Sequence, residues 1–449
     1  MRIAPPVLPG SKVVTESPVD RALSLLLAEE RDAALRWAIA LVKHDPSMPT
    51  ALALTGRLLG ELGRHELARE ALTVAVQRAI DFENLPLAVT AANELARLGG
   101  SEAPSLRAIA RAFCKGSPLA GDGALPPPPM PKVDEVQPLP SVITGALLLG
   151  KATEAVHEAK RKLEEEPYRP PVRALPFYSS IDEEGLFALL EAFTPQWVPQ
   201  DRVVVAQGTP GETAYFVARG ELEVRRERAG ETLTLGRLTN GSIFGEMAVL
   251  SRAPRSGSVV AVRPSIVLEI SRDTLDKLAR AFPELGRELA AYTKERMVQN
   301  LLRMSEVLRV VPQADRPALV ARFQPRVFEP NERLHAQDEL PEGIFLIASG
   351  EVAVVRREGD QGEPLVLATL GPGDVAGEVS VVLRRRANAD VIATHPTVTL
   401  FLPTTDFMGL IDEHPSILGS LYRLAVRRAE ETQAIEDEGA MIADDFDLV

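Results

Sequence analysis

The chain has 449 residues, 45% hydrophobic and 25% charged, with a formal net charge of −13. That length holds roughly three domains, and the acidic balance argues against nucleic acid as a partner, which needs a basic face to neutralise phosphates. A single cysteine, Cys114, excludes an intrachain disulfide and a thiolate metal cage, and its expected place is a small buried apolar site.

The six histidines are scattered without metal-ligand spacing, so no metal is expected. The opening "MRIAPPVLPGSKVV" lacks the apolar core of a signal peptide. No apolar run approaches the ~20 residues of a membrane helix, and the expectation is a cytoplasmic protein without a membrane partner.

From residue 15 to 115 the sequence is rich in Ala, Leu, Arg and Glu, with Leu52, Leu59, Leu62, Leu72 and Val76 at roughly helical spacing. Gly63 marks a helix end. The small residues Gly56, Gly63, Ala68 and Ala75, with Ala22, Ala34 and Pro46 one repeat earlier, resemble the tetratricopeptide pattern of roughly 34 residues. Leu52 and Ile80 depart from it, and a generic layer of helical hairpins accounts for the same residues.

Residues 116–140, "GSPLAGDGALPPPPMPKVDEVQPLP", read as an extended proline-rich linker. Residues 141–170 hold a connecting helix, begun by Ser141 and ended before Pro167. Its "GALLLGKA" misses a phosphate-binding loop by one residue, and Ala152 stands where Ser or Thr would hold magnesium. Ser180 and Glu183 are set as a capping box for the next helix.

Beyond this, strand-like runs alternate with turn residues. "DRVVVAQG", "AYFVARGELEVRRE", "ETLTLGRL" and "SGSVVAVRPSIVLEI" are followed by a second series in the same order. That series is "RVFEPNERLHAQ", "GIFLIASGEVAVVRRE", "PLVLATLGPGD" and "NADVIATHPTVTLFL". Helix-rich stretches close each unit, Asp273 to Val311 and Thr405 to Glu438. The fold class expected is multidomain α+β: a helical repeat-like region, then two β-roll barrels with flanking helices.

Each series carries a cassette, "FGEMAVLSRAPRSGSV" from Phe244 and "AGEVSVVLRRRANADV" from Ala376, their glycines 377 − 245 = 132 residues apart. Gly245 permits a close backbone approach. "EMAVL" forms a helical turn whose N–H groups face an anion. Arg255 supplies a planar fork for two phosphate oxygens, and Glu246 accepts a sugar hydroxyl. This describes a ribose-phosphate site; no nucleophile–base pair accompanies it, so no enzyme is expected.

"GEMAVLSRAPRSGSV", with "GTPGETAYFVARGELEV" before it, resembles the phosphate-binding cassette of the cyclic nucleotide-binding domain family. Protein kinase A regulatory subunits and the catabolite activator protein are members of that family. The resemblance covers Pro171 to Glu430 as two domains, 171–300 and 301–430. It implies a β-roll of about eight strands with a mobile C-terminal helix over the nucleotide. It assigns Glu246 to the ribose 2′-hydroxyl and Arg255 to the cyclic phosphate, with the amides of Met247 and Ala248 and the nearby Ser256 completing the pocket beside Gly245. The ligand implied is cAMP, with cGMP the alternative; Ser256, Tyr292, Thr293 and Met297 bear on that choice.

The second cassette keeps Gly377, Glu378 and Ser380, yet position 255 + 132 = 387 is Ala. Losing a charge-assisted phosphate bond costs about 1.5–3 kcal/mol, roughly 10- to 150-fold in affinity. Either Arg386 swings in from one residue away or the Arg384–Arg386 triplet is a solvated loop. A weak or empty second site is expected.

No winged helix-turn-helix follows the second domain, and residues 431–449 form an acidic tail. The Arg-Arg-x-Ser/Ala inhibitor segment of protein kinase A regulatory subunits does not occur between Lys115 and Pro176. The output expected is a protein partner engaged through the N-terminal helices. A scaffold that has lost nucleotide sensing is the alternative, and a transcriptional regulator is a third.

Overall fold

The computed structural model describes residues 16–99, 103–121, 132–166, 172–175, 177–228, 231–246, 249, 254–304, 312, 322–340, 342–357, 364–413 and parts of 415–430. The acidic tail and residues 122–131 of the proline-rich stretch lie outside these residues.

Six helices come first: α1 Pro18–Leu27, α2 Arg31–His44, α3 Pro49–Glu61, α4 His65–Asp81, α5 Leu85–Arg97 and α6 Ala103–Phe113. Each packs on the next. Small residues set the approach: Ala22, Ala34 and Ala68 are wholly buried, and a Cβ on Gly56 would lie 2.5 Å from Leu72 Cγ. Gly63, at φ +73°, turns the chain after α3 in the left-handed region that suits glycine. Ile80 is buried inside α4, which runs on to Asp81. Cys114 is buried, and desolvation pushes its thiol pKa up.

Helix α7, Gly145–Glu165, lies across α2 and α4. It starts at Gly145, φ +53°, rather than at Ser141. A short 3-10 turn, Tyr178–Ser180, leads to α8, Glu183–Glu191. The cap of α8 is Asp182, whose Oδ1 accepts from the Gly185 amide at 2.7 Å. The capping box expected of Ser180 is thus displaced by two residues, because the 3-10 turn takes up Ser180.

Two eight-stranded barrels follow. Barrel A comprises β1 Thr194–Val198, β2 Val203–Val205, β3 Thr213–Arg219, β4 Leu222–Arg228, β5 Glu231–Leu238, β6 Ile243–Phe244, β7 Ser258–Ala261 and β8 Ser265–Ser271. Its sheets have the orders β1-β8-β3-β6 and β2-β7-β4-β5, with antiparallel pairing. Helices α9, Arg272–Ala281, and α10, Pro283–Met304, close the unit.

Barrel B repeats the plan with β9 Gln324–Phe328, β10 Arg333–His335, β11 Gly343–Ser349, β12 Val352–Arg356, β13 Leu365–Leu370, β14 Val375–Ala376, β15 Asp390–Ala393 and β16 Thr397–Pro403. Its sheets run β14-β11-β16-β9 and β10-β15-β12-β13. Helix α11, Glu378–Val382, sits between β14 and β15, and α12, Thr404–Glu413, follows β16.

The N-terminal helices are docked on barrel A. Helix α5 packs against β1, β3 and β8, and one continuous apolar core runs from Val19 through the helices to Phe216, Leu268 and Leu289. Polar groups fix the seam. Asn84 donates to the Ala218 carbonyl at 3.0 Å, and the Arg57 guanidinium lies 4.5 Å over the Trp197 ring. Trp197 Nε1 donates to Glu94, which also pairs with Arg57 at 2.8 Å.

Asp20 is the deepest of these contacts. It completes a reciprocal cap with Ser17 at the start of α1. It also pairs with Arg219 of β3 at 2.6 Å and with Arg263 at 3.5 Å. Burial pushes the Arg219 pKa down, and the Asp20 carboxylate opposes that shift. Helix α10 then spans two cores, with Leu285 and Leu289 in the first and Leu301 buried in that of barrel B.

Removing Asp20 strands a buried guanidinium. Asp20→Ala is expected to destabilise the unit of helices and barrel A by about 3–5 kcal/mol, read as a fall in its urea midpoint. Adding Arg219→Met should restore part of that loss, because the second charge then no longer needs a partner.

Candidate functional site

The barrel A cassette is built where β6 ends. Gly245 has φ +80°, and a Cβ there would lie 2.6 Å from Arg255 Nη1 and 2.9 Å from the Thr213 carbonyl oxygen. Glycine is therefore required twice, for backbone angle and for space. The gap is filled by the arginine. Arg255 Nη1 donates to the Gly245 carbonyl at 2.8 Å, and Nη2 donates to the Thr213 carbonyl at 2.6 Å and its hydroxyl at 3.0 Å. The Thr213 hydroxyl in turn donates to the Tyr215 hydroxyl at 3.0 Å, and the Tyr215 ring stacks on Phe244.

Arg255 is 6% exposed and Glu246 is 5% exposed. Burial pushes the Arg255 pKa down, while Tyr215 and Glu246 favour its charge and Arg272 opposes it. A guanidinium keeps its proton at any physiological pH, so the site holds a fixed, largely desolvated cation. The bonds described engage Nη1 and Nη2, and Nε–H is not used by them. Arg272, the first residue of α9, donates to the carbonyls of Val249 and Gly211 and so ties the cassette to that helix.

The structure brings Gly245, Glu246 and Arg255 together. Met247 and Ala248 lie outside the described residues. Ser256 is exposed. Of the residues bearing on base choice, Thr293 is buried, Tyr292 packs 5.4 Å from the Phe177 ring, and the side chain of Met297 lies outside the described residues.

Barrel B repeats the backbone and discards the clamp. Gly377 has φ +83°, matching Gly245. Arg255 is bonded through its backbone to Gly208 and Thr209, and Ala387 bonds in the same way to Asp338 and Glu339. Ala387 thus occupies the arginine's place, with no slip in register. Arg386 is exposed and donates to the Asp338 carbonyl at 2.7 Å.

The losses extend beyond one residue. Thr213 pairs with Ser271, and Gly343 pairs with Pro403 at the matching register. By that register Thr213, Tyr215 and Arg272 of barrel A correspond to Gly343, Phe345 and Thr404 of barrel B. Glu378 and Ser380 stay buried, at 1% and 4% exposure. Glu378 is paired instead with Arg428, which also donates to the Val375 carbonyl. Burial pushes the Glu378 pKa up, and Arg428 opposes the shift.

Comparison with known proteins matches these two units to one family. Residues 195–282 and 325–414 each match the family model of the cyclic nucleotide-binding domain. Both barrels match this domain's model, one after the other. The cAMP-dependent protein kinase regulatory subunit of Yarrowia lipolytica is 25% identical over 205 residues, 46% of this chain and 50% of that protein. The chain thus spans about half the length of this curated relative. Among solved structures, the regulatory domain of Toxoplasma gondii PKA with cAMP is 23% identical, covering 57% of this chain and 92% of that one, with a TM-score of 0.28. The Thermus thermophilus catabolite activator protein is 30% identical, covering 30% of this chain and 64% of that one, with a TM-score of 0.28.

Domain A therefore holds a complete clamp and domain B an altered one. Thr213, Tyr215, Arg272 and Arg428 lie outside the two cassettes, where the repeated Gly-Glu pattern gives no signal. Extending the alignment of the two units through β3 and β8 exposes the first three. Among the described residues no helix is long and apolar enough to cross a membrane, and no group of acidic, His or Cys side chains could hold a metal.

Gly245→Ala forces a positive φ on a residue with a side chain, at a cost of about 1–3 kcal/mol, and pushes against Arg255. Thermal unfolding should show the loss, and the same variant should weaken any ligand held by that guanidinium.

Proposed function

We propose that the protein is a non-enzymatic cyclic-nucleotide sensor whose working site is domain A. The observation that carries the reading is Arg255, a buried cation held beside Gly245 and Glu246 by acceptors at the start of β3 and just after β6. Desolvation makes that cation costly to keep, and a cyclic phosphate is the kind of partner that offsets the cost. Glu246 takes the ribose 2′-hydroxyl. The ligand is cAMP, with cGMP the alternative. Domain B binds cyclic nucleotide weakly or not at all, because Ala387 supplies no cation.

The signal leaves through protein contacts. Arg272 joins the domain A cassette to α9, Val249 shares a core with Leu275 and Leu289, and Leu301 at the far end of α10 is buried in domain B. Ligand binding that favours one placement of α9 and α10 shifts how domain B and the N-terminal helices are presented. The seam of α5 is covered by domain A, so the partner meets the remaining faces of the helical region. The setting of this activity is the cytoplasm.

Isothermal titration with cAMP and cGMP tests the reading. Binding in the wild type should weaken by roughly 10- to 150-fold in Arg255→Ala and stay unchanged in Arg386→Ala. Absence of heat with both nucleotides at high micromolar concentration would refute it.

A further inference from the structure

We propose that domain B takes an uncharged nucleoside, in the pocket where domain A takes a cyclic nucleotide. The inference rests on the reading of both barrels as nucleotide-type pockets. Domain B contains a cavity of about 80 Å³ bordered by His335, Glu378, Ser380, Ala387, Asn388 and Arg428. This is several times the ~15 Å³ that one water requires. Apolar side chains of β12, β13 and β15 close the remainder.

The charge of the pocket has been rewritten. Domain A sets two charged neighbours about Arg255, the Glu246 carboxylate and the Arg272 guanidinium, and the second guanidinium lies close enough to lower the Arg255 pKa. Domain B has one carboxylate, Glu378, and one guanidinium, Arg428, already joined to each other. Ala387 and Thr404 stand where the two arginines were. A phosphodiester entering domain B would meet a guanidinium already paired with Glu378, with the carboxylates of Asp374 and Asp390 near by. A neutral ribose-bearing ligand brings no charge.

His335 supplies a second, independent pointer to a ligand. Its register against Val391 matches that of Val205 against Val259, so domain B places an imidazole where domain A has an apolar valine. The ring is 9% exposed and borders the cavity, and its Nε2 has no hydrogen-bond partner among the described residues. Desolvation lowers its pKa, against the raising influence of Glu339, Glu342 and Asp390. An unmet polar atom in such a place is costly. A nucleoside hydroxyl or base edge satisfies it without adding charge. Glu378 and Ser380 meet the sugar hydroxyls, and the apolar strands meet the base.

Titration of the full chain with adenosine and guanosine tests this, with cAMP titrated separately. One nucleoside should bind per chain, in the wild type and equally in Arg255→Ala, where cyclic-nucleotide binding is weakened. His335→Val, which installs the residue domain A uses at that place, should weaken the nucleoside about tenfold or more while leaving cAMP binding intact. Glu378→Gln should act in the same direction. The proposal is overturned if neither nucleoside binds up to millimolar concentration, if binding is insensitive to His335→Val, or if Arg255→Ala abolishes it. Nucleoside binding without any cAMP binding would sustain this proposal and refute the reading of domain A, so the two failures are distinguishable.

Discussion

A guanidinium buried to 6% exposure is the constraint around which domain A is arranged. Its hydrogen-bond donors must find acceptors that water no longer supplies. The chain provides them from residues far apart in sequence: Thr213 at the start of β3 and the carbonyl of Gly245 after β6. The glycine has to remain a glycine because the arginine lies against its Cα. Once the arginine is absent, the other parts lose their purpose. Domain B has Ala387, Gly343, Phe345 and Thr404 in place of Arg255, Thr213, Tyr215 and Arg272. Such joint replacement marks these residues as one functional group rather than four separate surface choices.

The second organising feature is the sharing of cores. The helical layer and domain A bury their apolar faces in one cluster, with Asp20, Glu94 and Asn84 fixing the seam. The layer therefore moves with the sheet that carries β6 and the cassette. Helix α10 carries the same logic onward, with one end in that cluster and Leu301 in the core of domain B. Under the proposed reading, a change at the cassette that shifts α9 would be felt at both ends of this arrangement.

The sequence made the outline legible for physical reasons. Alternating apolar runs between turn residues disclosed most strands, and the Gly-Glu repeat disclosed the two barrels and the missing arginine. Strand β1 was not legible, since "TPQWV" carries a proline and little alternation, and its pairing with β8 creates it. The starts of α7 and α8 were misplaced because Ser141 and Ser180 are as apt to cap a helix as the residues used. The exclusion of Arg386 depends on backbone bonds from Ala387 to Asp338 and Glu339, which no local pattern encodes. Arg428 reaches Glu378 across 50 residues of chain, and His335 gains its meaning only from the register of β10 on β15.

The central claim is that the chain has one working cyclic-nucleotide site, defined by the Arg255 clamp. Native mass spectrometry of the full-length protein at saturating cAMP counts bound nucleotides directly. The account predicts one nucleotide per chain in the wild type, and a clearly reduced count in Arg255→Ala at the cAMP concentration that just saturates the wild type. Two per chain, or an undiminished count in that variant, would contradict it.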